Sequence, residues 1–100
     1  MTPNATLPRE RLESFCQRNG IRKLSLFGSV LRDDFGPDSD VDVLVEFEPD
    51  KRVGLIRLAG MELELAQILG RRVDMNTPRS LSPHFRSAVL AKSETQYERA

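Results

Sequence analysis

Residues 40–47 read Asp-Val-Asp-Val-Leu-Val-Glu-Phe, which is the clearest alternating pattern in the sequence. Every second position is apolar, and the positions between are mostly acidic; the two sets are Val41, Val43, Val45 and Phe47, and Asp40, Asp42, Leu44 and Glu46. Successive side chains of a β-strand point to opposite faces. The stretch therefore predicts a strand with one buried face and with Asp40 and Asp42 together on the other.

The segments on either side of this strand alternate between helical and extended patterns. Apolar spacing, Gly and Pro predict helices over 7–19, 30–35, 55–69 and 83–92, and strands over 23–27 and 72–76. This order predicts an α/β (α+β) fold, a small mixed sheet of three or four short strands flanked by helices. We expect residues 1–100 to form one domain, with 1–6 and 93–100 frayed.

Composition excludes several classes of protein. Fifteen basic residues balance fifteen acidic ones, so bulk electrostatic binding of nucleic acid is not expected. Cys16 is the only cysteine, which excludes an intramolecular disulfide and predicts a small buried side chain. The sequence has neither a leader pattern nor an apolar run of about 20 residues, so we expect a cytoplasmic protein without membrane contact.

Asp40 and Asp42 are the first candidate site. Two carboxylates one residue apart on a strand lie on one face and repel each other unless a cation joins them. Mg²⁺ suits such a pair, because it takes oxygen ligands and completes its shell with water and substrate phosphates. The alternative is a pair of exposed aspartates at a strand end.

The turn Phe27-Gly28-Ser29 is the second candidate site. An apolar strand runs there into a Gly-Ser turn that opens a helix. Glycine permits close backbone approach, and the first N–H groups of a helix can bind phosphate oxygens. The alternative is that the turn serves only as a helix cap.

Asp74 is a carboxylate within an otherwise apolar strand. If that strand lies beside the one carrying Asp40 and Asp42, three carboxylates converge, which is enough to hold two metal ions. Asp74 could then also help to deprotonate a nucleophile. The alternative is that Asp74 pairs with Arg71 or Arg72 at a strand edge.

Taken together, these motifs resemble those of the polymerase-β-like nucleotidyltransferase superfamily, and more closely its minimal nucleotidyltransferase (MNT) branch. The resemblance runs from about residue 20 to residue 97 and includes Phe27-Gly28-Ser29, Arg32, the stretch 37–42 and the stretch 69–74. It implies that Gly28 and Ser29 hold the β and γ phosphates of ATP and that Asp40, Asp42 and Asp74 bind Mg²⁺ or Mn²⁺. It also implies that Arg32 reaches phosphate, although an ion pair of Arg32 with Asp33 or Asp34 is an alternative.

The resemblance implies a partner as well. Members of the MNT branch are typically antitoxins of a HEPN-domain toxin encoded beside them, and they transfer AMP from ATP to a tyrosine of that toxin. Two alternatives stay open, an antitoxin that only occludes the toxin and a nucleotidyltransferase acting on RNA or a small molecule. The last helix and Tyr97 belong either to the core or to the partner surface.

Overall fold

A four-stranded mixed sheet forms the centre of the molecule, in a computed structural model that describes residues 8–28, 39–50 and 52–99 and, for Phe85, the backbone alone. Along the sheet the order is β3-β2-β1-β4. The strands are β1 (Ile21–Phe27), β2 (Val41–Phe47), β3 (Val73–Asn76) and β4 (Glu94–Glu98). β2 pairs with β3 in parallel, and the other two pairings are antiparallel. The predicted fold class is therefore confirmed.

Three α-helices accompany the sheet, α1 (Arg9–Asn19), α2 (Leu55–Leu69) and α3 (Pro83–Lys92), with one 3₁₀ turn at Pro78–Ser80. Gly20 and Gly70 end α1 and α2 in the left-handed conformation, each with φ of 68°. The bounds of α2 and α3 agree with the sequence prediction. The short helix predicted over 30–35 and the segment 1–6 lie outside the described residues.

One face of the sheet carries the core. Leu24 pairs with Val45 and Leu26 with Val43, so their side chains share this face. Helices α1 and α2 cover it, and the buried set is Leu12, Phe15, Cys16, Ile21, Leu24, Leu26, Val41, Val43, Val45, Met61, Leu65, Val73 and Met75. Burial raises the pKa of the Cys16 thiol to about 12, so this side chain is the inert apolar group that the sequence predicts.

Helix α2 buries less of its surface than its sequence predicts. Helical spacing predicts one inner stripe, formed by Leu55, Leu58, Ala59, Glu62, Leu65, Ala66 and Leu69. Leu65 is buried, as is Met61, but Leu55 and Ala59 are exposed. A helix that packs against a sheet buries only the side that faces the strands. At 3.6 residues per turn, Leu55 and Ala59 project in directions different from that of Leu65. The predicted inner stripe is therefore too wide.

The C-terminal segment also differs from the prediction, because Glu94–Glu98 forms β4 although 93–100 is expected to fray. β4 pairs with β1, and the N–H of Arg99 donates to the carbonyl of Arg22 at 2.8 Å. The ring of Tyr97 packs against the core. These long-range contacts fix a segment whose own sequence is polar.

Helix α3 lies less deep than predicted. Helical spacing predicts an apolar face formed by Phe85, Ala88 and Val89. Val89 is half-buried and Ala88 is exposed. Among the described residues, no helix has the length and apolar character needed to cross a bilayer.

Candidate active site

Asp42 and Asp74 lie side by side on the face of the sheet opposite the core. β2 and β3 are parallel and in register there, with Asp42 opposite Asp74. Residues in register on neighbouring strands project from the same face, and the strands lie about 4.8 Å apart. Asp42 is half-buried and Asp74 exposed. The two strands are therefore neighbours, which is the condition under which the sequence predicts that Asp74 approaches Asp42.

The backbone of Gly28 lies against the carboxylate of Asp42. β1 brings it there, because Phe27 is the register partner of Asp42. Gly28 has a φ of 73°, and a Cβ at this position would overlap Oδ2 of Asp42. Only glycine satisfies both conditions, so the backbone lies closer to Asp42 here than any other residue would allow. The phosphate-binding role of Gly28 stays a prediction.

Asp40 lies just before β2 and bonds to Arg72. The Nε of Arg72 is 3.1 Å from Oδ1 of Asp40, and both side chains are more than half exposed. The parallel pairing sets this contact, since the N–H of Val41 donates to the carbonyl of Arg72 at 2.9 Å. Of the two arginines considered as partners for Asp74, Arg72 thus forms an ion pair with Asp40.

Asp42 and Asp74 are the carboxylates that could bind a hard divalent cation. Within 8–28, 39–50 and 52–99, no three His, Cys, Asp or Glu side chains are grouped so as to hold a metal ion. Asp42 and Asp74 nevertheless supply carboxylate oxygens from one open face, and Gly28 leaves the Asp42 carboxylate room that a side chain would fill. These donors fit Mg²⁺, which keeps several waters and uses only one or two carboxylates.

The structure does not describe two of the predicted phosphate-binding residues. Ser29 and Arg32 lie outside the described residues, and Gly28 is the last residue described before that gap. Their roles stay predictions, as do the ligand roles of Asp40, Asp42 and Asp74.

Two supporting residues were missed by the sequence reasoning. Glu62 of α2 accepts a hydrogen bond from the N–H of Met75, at 2.8 Å, and so holds the outer edge of β3 next to Asp74. Asn76 follows Asp74 by two residues and therefore lies on the same face. The period of two along β3 could have indicated Asn76. The helical spacing that places acidic Glu62 among apolar residues of α2 could have indicated Glu62.

The same face is closed further along β2. Ser25 and Leu44 are register partners there, and both are almost fully buried. Leu81, which follows the 3₁₀ turn, is also buried. The carboxylates therefore lie at the open end of a face whose other end is covered.

Comparison with known proteins decides the family. Residues 9–95 match the profile of the nucleotidyltransferase domain family. The chain is a nucleotidyltransferase. The family resemblance drawn from the sequence is confirmed.

Individual relatives place this nucleotidyltransferase in the minimal branch. It is 38% identical over 74 residues to protein adenylyltransferase MntA of Thermococcus cleftensis, a match covering 74% of this chain and 73% of the relative. A solved structure provisionally assigned as a minimal nucleotidyltransferase is 40% identical, with a TM-score of 0.70 over 85% of each chain.

A more distant structure shares the fold. It is a chain of the complex between the tri-AMPylated HEPN toxin of Shewanella oneidensis and its MNT antitoxin. The TM-score is 0.67 at 20% identity, and the match covers 91% of this nucleotidyltransferase and 70% of that chain. At this identity the likeness concerns the fold alone.

Proposed function

We propose that this nucleotidyltransferase transfers AMP from ATP to a tyrosine of a HEPN-domain toxin and acts as the antitoxin of that toxin. The observation that carries the proposal is the pairing of Asp42 with Asp74 on one open face, with the Gly28 backbone against Asp42. Nucleotidyl transfer needs a cation site and a phosphate site side by side, and the position of the two carboxylates next to Gly28 supports such an arrangement.

Asp42 and Asp74 would hold the divalent cation, and Asp40 would join them after leaving Arg72. When bound, Mg²⁺ or Mn²⁺ lowers the pKa of the attacking hydroxyl and offsets the charge of the triphosphate. Gly28 and Ser29 would bind the β and γ phosphates through backbone N–H groups, with Arg32 as a further phosphate contact.

The reaction balances without a further reagent. The tyrosine oxygen attacks the α-phosphorus of ATP, and one P–O bond forms. The bond from that phosphorus to the bridging oxygen breaks, and pyrophosphate leaves. Asp74 accepts the tyrosine proton, because it is exposed at the edge from which an acceptor approaches.

The relatives support the choice of acceptor. MntA of Thermococcus cleftensis carries the name protein adenylyltransferase, and the Shewanella oneidensis complex contains an AMPylated HEPN toxin. Both names point to transfer of AMP to a protein.

Measurement of the intact masses of this chain and of its partner tests the proposal. The chain is purified with the HEPN-domain protein encoded beside it, and both masses are measured after incubation with ATP and Mg²⁺. AMP increments are expected on the HEPN protein, and they are expected to disappear with EDTA and with Asp42→Asn. The matched control is Asp50→Asn, an exposed aspartate in the turn after β2.

The same experiment separates the alternatives. Unmodified masses in a stable, inhibited complex would replace the proposal with an antitoxin that acts by occlusion. Labelling of RNA or of a small molecule by α-labelled ATP, with the HEPN protein untouched, would identify a different acceptor.

A further inference from the structure

Helix α2 is apolar on the side that faces away from the sheet. Ile56 is 92% exposed, Leu55 85% and Leu63 68%. Ile56 and Leu63 are two turns apart on one side of the helix, and exposed Ala59 and Gly60 lie between them. Exposed apolar side chains that cluster on one side of a helix are typical of an interaction surface, and the described chain covers only the inner side of α2.

Gly60 strengthens this observation. Glycine in the interior of a helix is unfavourable relative to alanine. A Cβ at Gly60 would meet no atom within 4 Å, so the described residues do not require glycine there. A small residue at the centre of an apolar stripe allows another backbone to approach closely.

The charges of α2 indicate an apolar partner face. Its two acidic residues both contact their own chain, and its one basic residue, Arg57, is exposed beside the first turn of the stripe. Glu62 accepts from the N–H of Met75, and Glu64 forms an ion pair with Arg18 at 2.7 Å. The outer stripe is therefore uncharged at its centre, which favours an apolar helical surface over a charged one.

The outer side of α2 is too small to hold a second copy of the chain by itself. The 15 residues of α2 span about 22 Å, and one side about 10 Å wide offers roughly 220 Å². Stable interfaces bury about 800 Å² per partner. A stable partner must therefore cover neighbouring surface as well.

That neighbouring surface leads to the carboxylates. From Leu63 an open groove of about 380 Å³ continues past Ala66 and Gly70 to Arg71 and Arg72. Arg72 holds Asp40 at the edge of the site. A protein that covers the outer stripe and this groove reaches the edge where an acceptor hydroxyl must arrive.

We infer that the outer stripe of α2 (Leu55, Ile56, Ala59, Gly60 and Leu63) is the docking surface for the AMP-accepting protein, which lays an apolar helix along it. This inference rests on the proposed function for the identity of that partner. Docking on α2 holds the acceptor while the edge at Arg72 and Asp74 presents its hydroxyl to the site.

The test measures binding and transfer separately. Ile56→Lys and Leu63→Lys are compared with wild type for their dissociation constant with the neighbouring HEPN-domain protein. Each is expected to weaken binding about tenfold or more, because a charge enters an apolar contact. Leu90→Lys is the matched control, since Leu90 is a 43% exposed leucine on α3, and unchanged binding is expected.

Two further readouts keep the test decisive. Binding of a non-hydrolysable ATP analogue should be the same in all variants, which establishes that they are folded. Gly60→Leu should favour the isolated helix and yet weaken the complex, a combination that a purely structural glycine would not produce.

Three results would overturn the inference. The first is that the lysine variants bind with wild-type affinity, and the second is that the wild-type chain does not bind. The third is that the wild-type chain sediments as a dimer, which Leu63→Lys converts to monomers. Failure of the proposed function looks different, because the complex would form and weaken as described while the HEPN protein gained no AMP.

Discussion

Gly28 is the residue at which the site tolerates no side chain. Its φ of 73° disfavours any other residue, and a Cβ would overlap the Asp42 carboxylate. Gly70 shares the first condition, with a φ of 68°, but has open space around it. The two glycines therefore allow backbone strain to be separated from displacement of Asp42.

We predict that Gly28→Ala lowers the free energy of unfolding more than Gly70→Ala does. Gly70→Ala should cost about 1 kcal/mol, the strain of a left-handed alanine. Gly28→Ala should cost about 1 kcal/mol more and should also weaken Mn²⁺ binding, because Asp42 must move. Urea unfolding and Mn²⁺ titration measure the two effects, and equal losses would show that Asp42 is free to shift.

Cys16 gives the molecule a defined response to alkaline pH. Its folded-state pKa is raised from 9.0 to about 12, first by burial and then by Glu13. The unfolded chain thus loses this proton at a lower pH than the folded chain. The stabilising effect is complete below about pH 9 and is lost as the pH rises towards 12.

We predict that the free energy of unfolding falls between pH 9 and 11 more steeply in wild type than in Cys16→Ala. Urea unfolding across this range measures the difference between the two slopes. Cys16→Ala will also be less stable at pH 7, because it leaves a small cavity, so only the slopes are compared. Parallel slopes would mean that the thiol ionises normally in the folded protein.

At the scale of elements, β3 is a short edge strand that must hold Asp74 in register with Asp42. Its inner edge pairs with β2, and on its outer edge the N–H of Met75 donates to Glu62. This bond joins α2 to the strand that carries a candidate metal ligand. Glu62 therefore supports the site without contacting a reacting atom.

We predict that Glu62→Ala lowers the free energy of unfolding by about 1–2 kcal/mol, because a partly buried N–H loses a charged acceptor. Exchange of the Met75 amide should speed up. Glu64→Ala is the control on the same helix, since Glu64 makes an exposed ion pair with Arg18, and its cost should be below about 1 kcal/mol. Equal protection of Met75 in both variants would contradict the assigned role.

The elements also show what sequence can predict. β2, α2 and α3 carry their own periodicity and end signals, so their positions followed from local patterns. β4 did not, because Glu94–Glu98 is polar and becomes a strand only through pairing with β1 and packing of Tyr97. The exposure of Leu55 and Ala59 likewise depends on where the sheet lies, which helical spacing alone does not state.

At the scale of the whole molecule, the site is assembled by three strands that are distant along the chain. The sequence supplied the candidate acids and the glycine, and the pairing of Asp42 with Asp74 depended on a strand order that it did not predict. The Arg72–Asp40 bond follows from the parallel register that brings Val41 to Arg72. The sequence left open whether Asp74 pairs with Arg71 or Arg72, and in the structure Arg72 forms an ion pair with Asp40.

The whole molecule also separates two surfaces. The carboxylates lie on one face of the sheet. Helix α2 packs on the opposite face, and its outer stripe faces away from the sheet. They meet at the edge formed by Arg72 and β3. The proposed docking surface and the proposed active site of this chain of 100 residues are therefore joined along one edge.

The decisive measurement is the rate of AMP transfer to the HEPN-domain protein at saturating ATP and Mg²⁺. Asp42→Asn and Asp74→Asn should each slow transfer by roughly 10²-fold or more, with wild-type complex formation, while Asp50→Asn keeps the wild-type rate. Transfer at the wild-type rate by either site variant would contradict the claim that this carboxylate pair carries out the reaction.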